Sequence, residues 1–155
     1  MKKIIYLILV IIWMLLIFNF SNQKAYYSTK LSDSFIYKTI CKVYKVFHSN
    51  VSEEKLDMIV SDYTVIVRKL AHFTIYLILG ILVLLFIREF KLDFKYTFII
   101  PILICFIYAI SDETHQLFVE GRSGELRDIF IDTLGSFIGI SLTLLWCKIR
   151  RIKEK

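Results

Sequence analysis

The stretch SDETHQLFVEGRSGELRDIFID, residues 111–132, sets carboxylates, an imidazole and two guanidiniums between two apolar runs. Upstream, RKLAHFTIY at 68–76 carries Arg68, His72 and Tyr76 at four-residue intervals, so a helix would show all three on one face. Asp112 and Gln116 share a face in the same way, with Glu113 beside them. Two chemistries suit these residue types. In the first, Arg68 and Arg122 pair with phosphate, while His72, Tyr76, Asp112, Glu113, Gln116, Asp128 and Asp132 orient the molecule that carries it. In the second, His72 and Glu113 are the catalytic candidates, a general base and acid, and the arginines stabilise charge on a reacting phosphate. No G-x-S-x-G, H-E-x-x-H or metal-ligand spacing accompanies them, so binding ranks above catalysis. A metal site could be drawn from His72, Asp112 and Glu113, but they lie on separate segments without ligand spacing, and the sequence assigns neither metal nor cofactor.

The elements that must position these groups are membrane helices. The 155-residue chain is 57% hydrophobic with one proline, and its mean hydropathy is +0.62, which is too apolar for a soluble domain of this size. A single domain over 1–155 is expected. Four apolar runs, 4–20, 70–87, 96–114 and 129–147, each approach the ~20 residues that span a bilayer core. The first begins after Lys2 and Lys3 as a signal peptide would, but no small-x-small cleavage site follows in NFSNQKAYYS, so an uncleaved helix is expected. The fold class is therefore all-α, a bundle of four transmembrane helices.

The net charge of +6 comes from Lys and Arg gathered beside apolar runs, where they set topology and meet lipid head groups. No nucleic-acid motif is present. Lys2, Lys3, Arg88, Lys91, Lys95 and Lys148 onward fall on one side, and the short 112–128 loop on the other has two basic residues against five acidic ones. The positive-inside bias places both termini in the cytoplasm and the polar stretch outside, in a multi-pass protein of the cell membrane. Between the first two spans, 31–67 reads as an amphipathic outer segment. Leu31, Phe35, Ile36, Ile40, Val43 and Phe47 form one helical stripe, and Leu56, Ile59, Val60, Tyr63 and Val67 form another after a capping Ser52. Cys41, Cys105 and Cys147 share no CxxC spacing and are read as inert.

Depth sharpens the reading. The uncharged run from Tyr96 to Ser111 covers about 24 Å of helix, short of the ~30 Å core, so the helix should continue through Asp112 and Glu113 toward Gln116. Asp128 is expected to cap the fourth helix, with Asp132 one turn deeper. An acid there costs about 2.5–3.5 kcal/mol on insertion scales and should face a partner inside the bundle. Gly135 and Gly139 would let a second helix approach that face. Lys69, Glu120, Glu125 and Arg127 are read as surface or anchoring charges and His115 as a solvated loop residue.

RKLAHFTIY at 68–76, DETHQLFVEGR at 112–122 and DIFIDTLGSFIG at 128–139 together resemble the VanZ-like family of small bacterial membrane proteins, named for a teicoplanin-resistance protein. FNFSNQ at 18–23 is similar to the phrase that ends the family's first helix. Where members commonly carry Asn, this chain has Asp132, which adds a charge at the deepest position. The resemblance implies a cell-envelope role, linked in some members to reduced lipoglycopeptide susceptibility, and no established reaction. Membrane lipids or lipid-linked cell-wall precursors are the partners expected. A proton-coupled transporter would use the same acids, but four spans without repeats rank it last.

Overall fold

A computed structural model describes residues 1–22, 53–122 and 124–153. Among these, the chain forms four helices and no strand: α1 (Lys2–Ser21), α2 (Glu53–Arg88), α3 (Phe94–Gln116) and α4 (Leu126–Lys153). All four are long and apolar enough to cross a membrane, over Lys2–Ser21, Met58–Arg88, Phe94–Gln116 and Leu126–Ile149. That fits a multi-pass membrane protein. The stripe expected over 31–47 lies outside the described residues, as do Cys41 and the capping Ser52.

The apolar runs become helices because only a helix satisfies its own backbone groups in hydrocarbon. Their outer faces stay apolar and exposed. On α1, Ile4, Ile5, Ile8, Ile11, Ile12 and Leu15 face outward, while Val10, Ile17 and Ser21 are buried. Side-chain donors then tie α1 down at mid-depth. Trp13 Nε1 donates to the Ile75 carbonyl at 2.8 Å, and the Tyr108 hydroxyl donates to the Met14 carbonyl at 2.6 Å.

α2 is the central helix, packed against each of the others and most extensively against α4. It runs unbroken for 36 residues, about 54 Å at 1.5 Å per residue, so the second amphipathic stretch is the first part of the spanning helix and not a separate element. Of its stripe, Val60 is buried, whereas Tyr63 and Val67 are exposed. From Arg68 to Arg88 the rise is about 30 Å, which puts one arginine at each edge of a hydrocarbon core. At the Arg88 end, Arg88, Lys91, Lys95 and Lys148 gather with exposed Tyr96 and Trp146, the composition of a membrane–water boundary.

Close approach of α2 and α4 depends on glycine. A Cβ on Gly135 would collide with the Phe73 carbonyl and one on Gly139 with the Leu77 carbonyl. The small-residue pair of α4 therefore lies directly on the α2 backbone, as its spacing suggests. Ser136 sits between them, and its hydroxyl donates to the Tyr76 carbonyl at 3.2 Å and to the Asp132 carbonyl at 3.0 Å. α3 carries Pro101, which is buried within the helix and removes one backbone donor there. As the length argument requires, α3 continues through Asp112 and Glu113 to Gln116, and all three are buried.

Candidate functional site

Three helices bring their polar residues together at the end of the bundle that carries the 117–125 loop. α2 contributes Arg68, His72 and Tyr76, α3 contributes Asp112, Glu113 and Gln116 from its last turns, and α4 contributes Asp132 from its second turn. Counted at 1.5 Å per residue, His72 lies about 6 Å below Arg68 and Asp132 about 9 Å below the start of α4. The site is thus one to two turns inside the bundle.

Its centre is a four-residue cluster. One donor atom each from His72, Asp112, Glu113 and Asp132 fall within 4.8 Å of one another. Asp132 is 0% exposed, and Asp112 and Glu113 are 3% exposed. His72 Nδ1 stands 3.6 Å from Asp132 Oδ1, an ion-pair distance too long for a hydrogen bond. Among the described residues, His72 Nδ1, Asp112 Oδ1 and both carboxylate oxygens of Asp132 have no hydrogen-bond partner. The Tyr76 hydroxyl and the Ser21 hydroxyl are buried and unpartnered as well.

Glu113, by contrast, is held at both oxygens. Oε1 accepts from Gln116 Nε2 at 3.0 Å, and Oε2 accepts from the Glu125 backbone N–H at 3.1 Å. The second bond needs the loop to fold back tightly, which Gly124 permits because a Cβ there would sit 2.7 Å from the Glu113 carbonyl. Gln116 Nε2 also donates to Asp112 Oδ2 at 3.3 Å, so a single amide orients two carboxylates.

Arg122 closes the site toward the loop. Its Nη1 donates to Gln116 Oε1 at 3.3 Å and its Nη2 to the Phe20 carbonyl at 3.0 Å, joining the loop to the end of α1. Burial and the nearby positive charge of Arg68 push the Arg122 guanidinium below its ordinary range. Arg68 itself makes no hydrogen bond or ion pair among the described residues, although its charge reaches both His72 and Arg122. Two guanidiniums near each other repel, and an anion between them would relieve that repulsion.

Asp128 stands apart from these residues and does not cap α4. The helix begins at Leu126, so Asp128 lies in its first turn, and its carboxylate accepts from Lys69 Nζ at 2.6 Å. Lys69 also stands 3.5 Å from Glu125. A lysine read as an anchoring charge is therefore the tie between α2 and the start of α4. A double-mutant cycle on Lys69→Met and Asp128→Asn is expected to give a coupling of about 1 kcal/mol, modest because water reaches the pair. Thermal unfolding in detergent measures it, and a coupling near zero would show that the contact only decorates the surface.

Two further placements depart from the sequence reading. His115 is not a solvated loop residue: it lies in the last turn of α3 with its ring 4.6 Å from that of Phe18. Ser21, not counted among the candidates, is buried beside Asp112 at the end of α1. The FNFSNQ phrase was the only signal for it, and that phrase names no chemistry.

No curated protein and no solved structure matches the chain. A family model described as VanZ/LLP1 matches residues 6–147, nearly the whole sequence, and so spans all three polar blocks. The chain belongs to the VanZ/LLP1 family.

Proposed function

We propose that the protein binds the phosphate-bearing head group of an envelope lipid, or of a lipid-linked cell-wall precursor, at the outer face of the cell membrane. The observation that carries this reading is the pairing of Arg68, which has no partner among the described residues, with the half-buried Arg122 above a buried polar cluster. A phosphate placed between the two guanidiniums would accept charge-assisted hydrogen bonds from both. Around it, Leu117, Phe118, Leu126 and Phe130 are largely exposed, Phe118 at 83%. Such residues suit the boundary between head groups and acyl chains, where a lipid head group would enter.

Binding of this kind would change what a lipoglycopeptide such as teicoplanin meets at the membrane surface. Glu113 accepts from Gln116 at one oxygen and from the Glu125 backbone at the other, which holds it beside its neighbours.

Two experiments test the proposal. For orientation, single cysteines replacing Glu120 and Lys95, with the native cysteines removed, are labelled in intact cells by a membrane-impermeant thiol reagent. Position 120 should react and position 95 should not, and the reverse pattern would turn the site to the cytoplasm. For the head group, undecaprenyl phosphate is titrated into the protein in nanodiscs. Arg122→Lys and Arg68→Gln should each weaken binding by about tenfold or more, since lysine cannot supply a bidentate contact. Unchanged affinity in both variants would refute the arginine site.

A further inference from the structure

Beneath the arginines, the cluster poses a separate electrostatic problem. Three carboxylates and an imidazole converge, with one donor atom from each inside 4.8 Å, and His72 Nδ1, Asp112 Oδ1 and both Asp132 oxygens have no hydrogen-bond partner among the described residues. Asp132 is the extreme case, wholly buried with both oxygens unpartnered. Such a carboxylate is stabilised by a proton or by a cation, and the nearest candidate cation, His72, is too far for a hydrogen bond. His72 could at most neutralise one of three acids. The Lys69 ammonium is engaged by Asp128 and Glu125, and Arg122 is directed to Gln116 and Phe20.

We propose that His72, Asp112, Glu113 and Asp132 form a binding site for one divalent first-row metal cation, such as Mn²⁺ or Zn²⁺. The donor set fits. One imidazole nitrogen with several carboxylate oxygens suits these ions, whereas calcium seeks six to eight oxygens. Metal–ligand bonds near 2.1 Å set neighbouring donors roughly 3–3.5 Å apart and opposite ones about 4.2 Å apart, so atoms already within 4.8 Å need to close by about an ångström, within reach of side-chain rotation. A divalent charge would offset two of the three carboxylates, and it would do so for atoms on all three helices at once.

The surroundings behave as supports for such a ligand set. Gln116 Nε2 holds Asp112 Oδ2 and Glu113 Oε1, and the Glu125 N–H holds Glu113 Oε2. Hydrogen bonds of this kind fix the orientation of ligating carboxylates. The bonds to Asp112 leave its Oδ1 unpartnered within the cluster. A metal here would also lie beneath the arginines. It could draw a lipid phosphate inward, but it does not depend on that lipid. This departs from the expectation, drawn from the absence of ligand spacing, that the chain has no metal site.

The test uses the full chain purified in detergent, stripped with a chelator and desalted, then titrated with Mn²⁺ or Zn²⁺ alone. Bound metal is measured by mass spectrometry of the elements, and Mn²⁺ also by loss of its free-ion paramagnetic signal. The wild-type protein should take up about one equivalent, and its thermal midpoint should rise with metal and fall again with chelator. Asp132→Asn and His72→Gln should weaken uptake by about 100-fold and abolish the midpoint rise. Asp132→Asn keeps the side-chain volume and removes a buried carboxylate that makes no hydrogen bond, and a neutral His72 is not left as a stranded charge, so the variant should accumulate, and metal lost by accumulated protein cannot be ascribed to unfolding. Should it fail to accumulate, Asp112→Asn is read in its place. Arg68→Gln and Arg122→Lys should still bind metal while losing undecaprenyl phosphate, which separates this proposal from the lipid reading. Failure of both ions to bind the wild-type chain, or uptake at the wild-type level by both Asp132→Asn and Asp112→Asn, would overturn it.

Discussion

Gly139→Ala is expected to destabilise the bundle, although alanine is the better helix former by about 1 kcal/mol. The two effects have opposite signs, and the packing geometry decides which wins. A Cβ at 139 would meet the Leu77 carbonyl and one at 135 the Phe73 carbonyl, both backbone atoms within α2, which can yield only if the whole helix moves. Overpacking of this kind costs about 1–3 kcal/mol, more than the propensity gain. Gly139→Leu should cost more still and should strip the protein from the membrane fraction. Because α2 and α4 carry His72 and Asp132, separating them also pulls the site apart. Unfolding in mixed micelles gives the sign directly. A Gly139→Ala protein as stable as the wild type would mean that the helices pack less closely than described.

The second large effect concerns the His72–Asp132 pair. Removing one partner of a buried ionic pair strands the other, at about 3–5 kcal/mol. His72 and Asp132 are both well buried, at 14% and 0% side-chain exposure, so His72→Leu alone should be strongly destabilising. The double variant His72→Leu with Asp132→Leu should recover most of that loss, since a pair of apolar residues of similar volume can replace a buried ion pair without penalty. The non-additivity itself measures the coupling. If the double variant accumulates like the wild type but no longer binds the lipid phosphate or the metal, the pair is there for a ligand. If the two single changes simply add, the 3.6 Å approach carries no interaction.

Much of this arrangement could be read from residue spacing, and two causes hid the rest. The extension of α3 to Gln116 followed from a run too short for a bilayer. That some helix lies close against this face of α4 followed from Gly135 and Gly139; that it is α2 is seen only in the structure. That Asp132 needs company inside the bundle followed from the energy of burying an acid. Which group supplies that company did not follow, because a contact between residues 72 and 132 is fixed by how far each helix slides along its neighbour. The same sliding gives Asp128 to Lys69. The hold of Gln116 on Asp112 and Glu113 is, by contrast, local to α3, at spacings of four and three residues. The long α2 was hidden for a different reason: the second amphipathic stripe and the second span have different compositions, and nothing in local propensity tells a change of surroundings from a break in a helix.

A ligand site, unlike a satisfied polar seam between helices, should hold its ligand through purification. Native mass spectrometry of the full chain, extracted gently from the cell membrane, tests it most directly. The wild-type protein should retain a phosphate-bearing lipid, and the adduct should be lost from an Arg68→Gln, Arg122→Lys double variant that accumulates to the same level. The same lipid retained to the same extent by both proteins, or by neither, would contradict it.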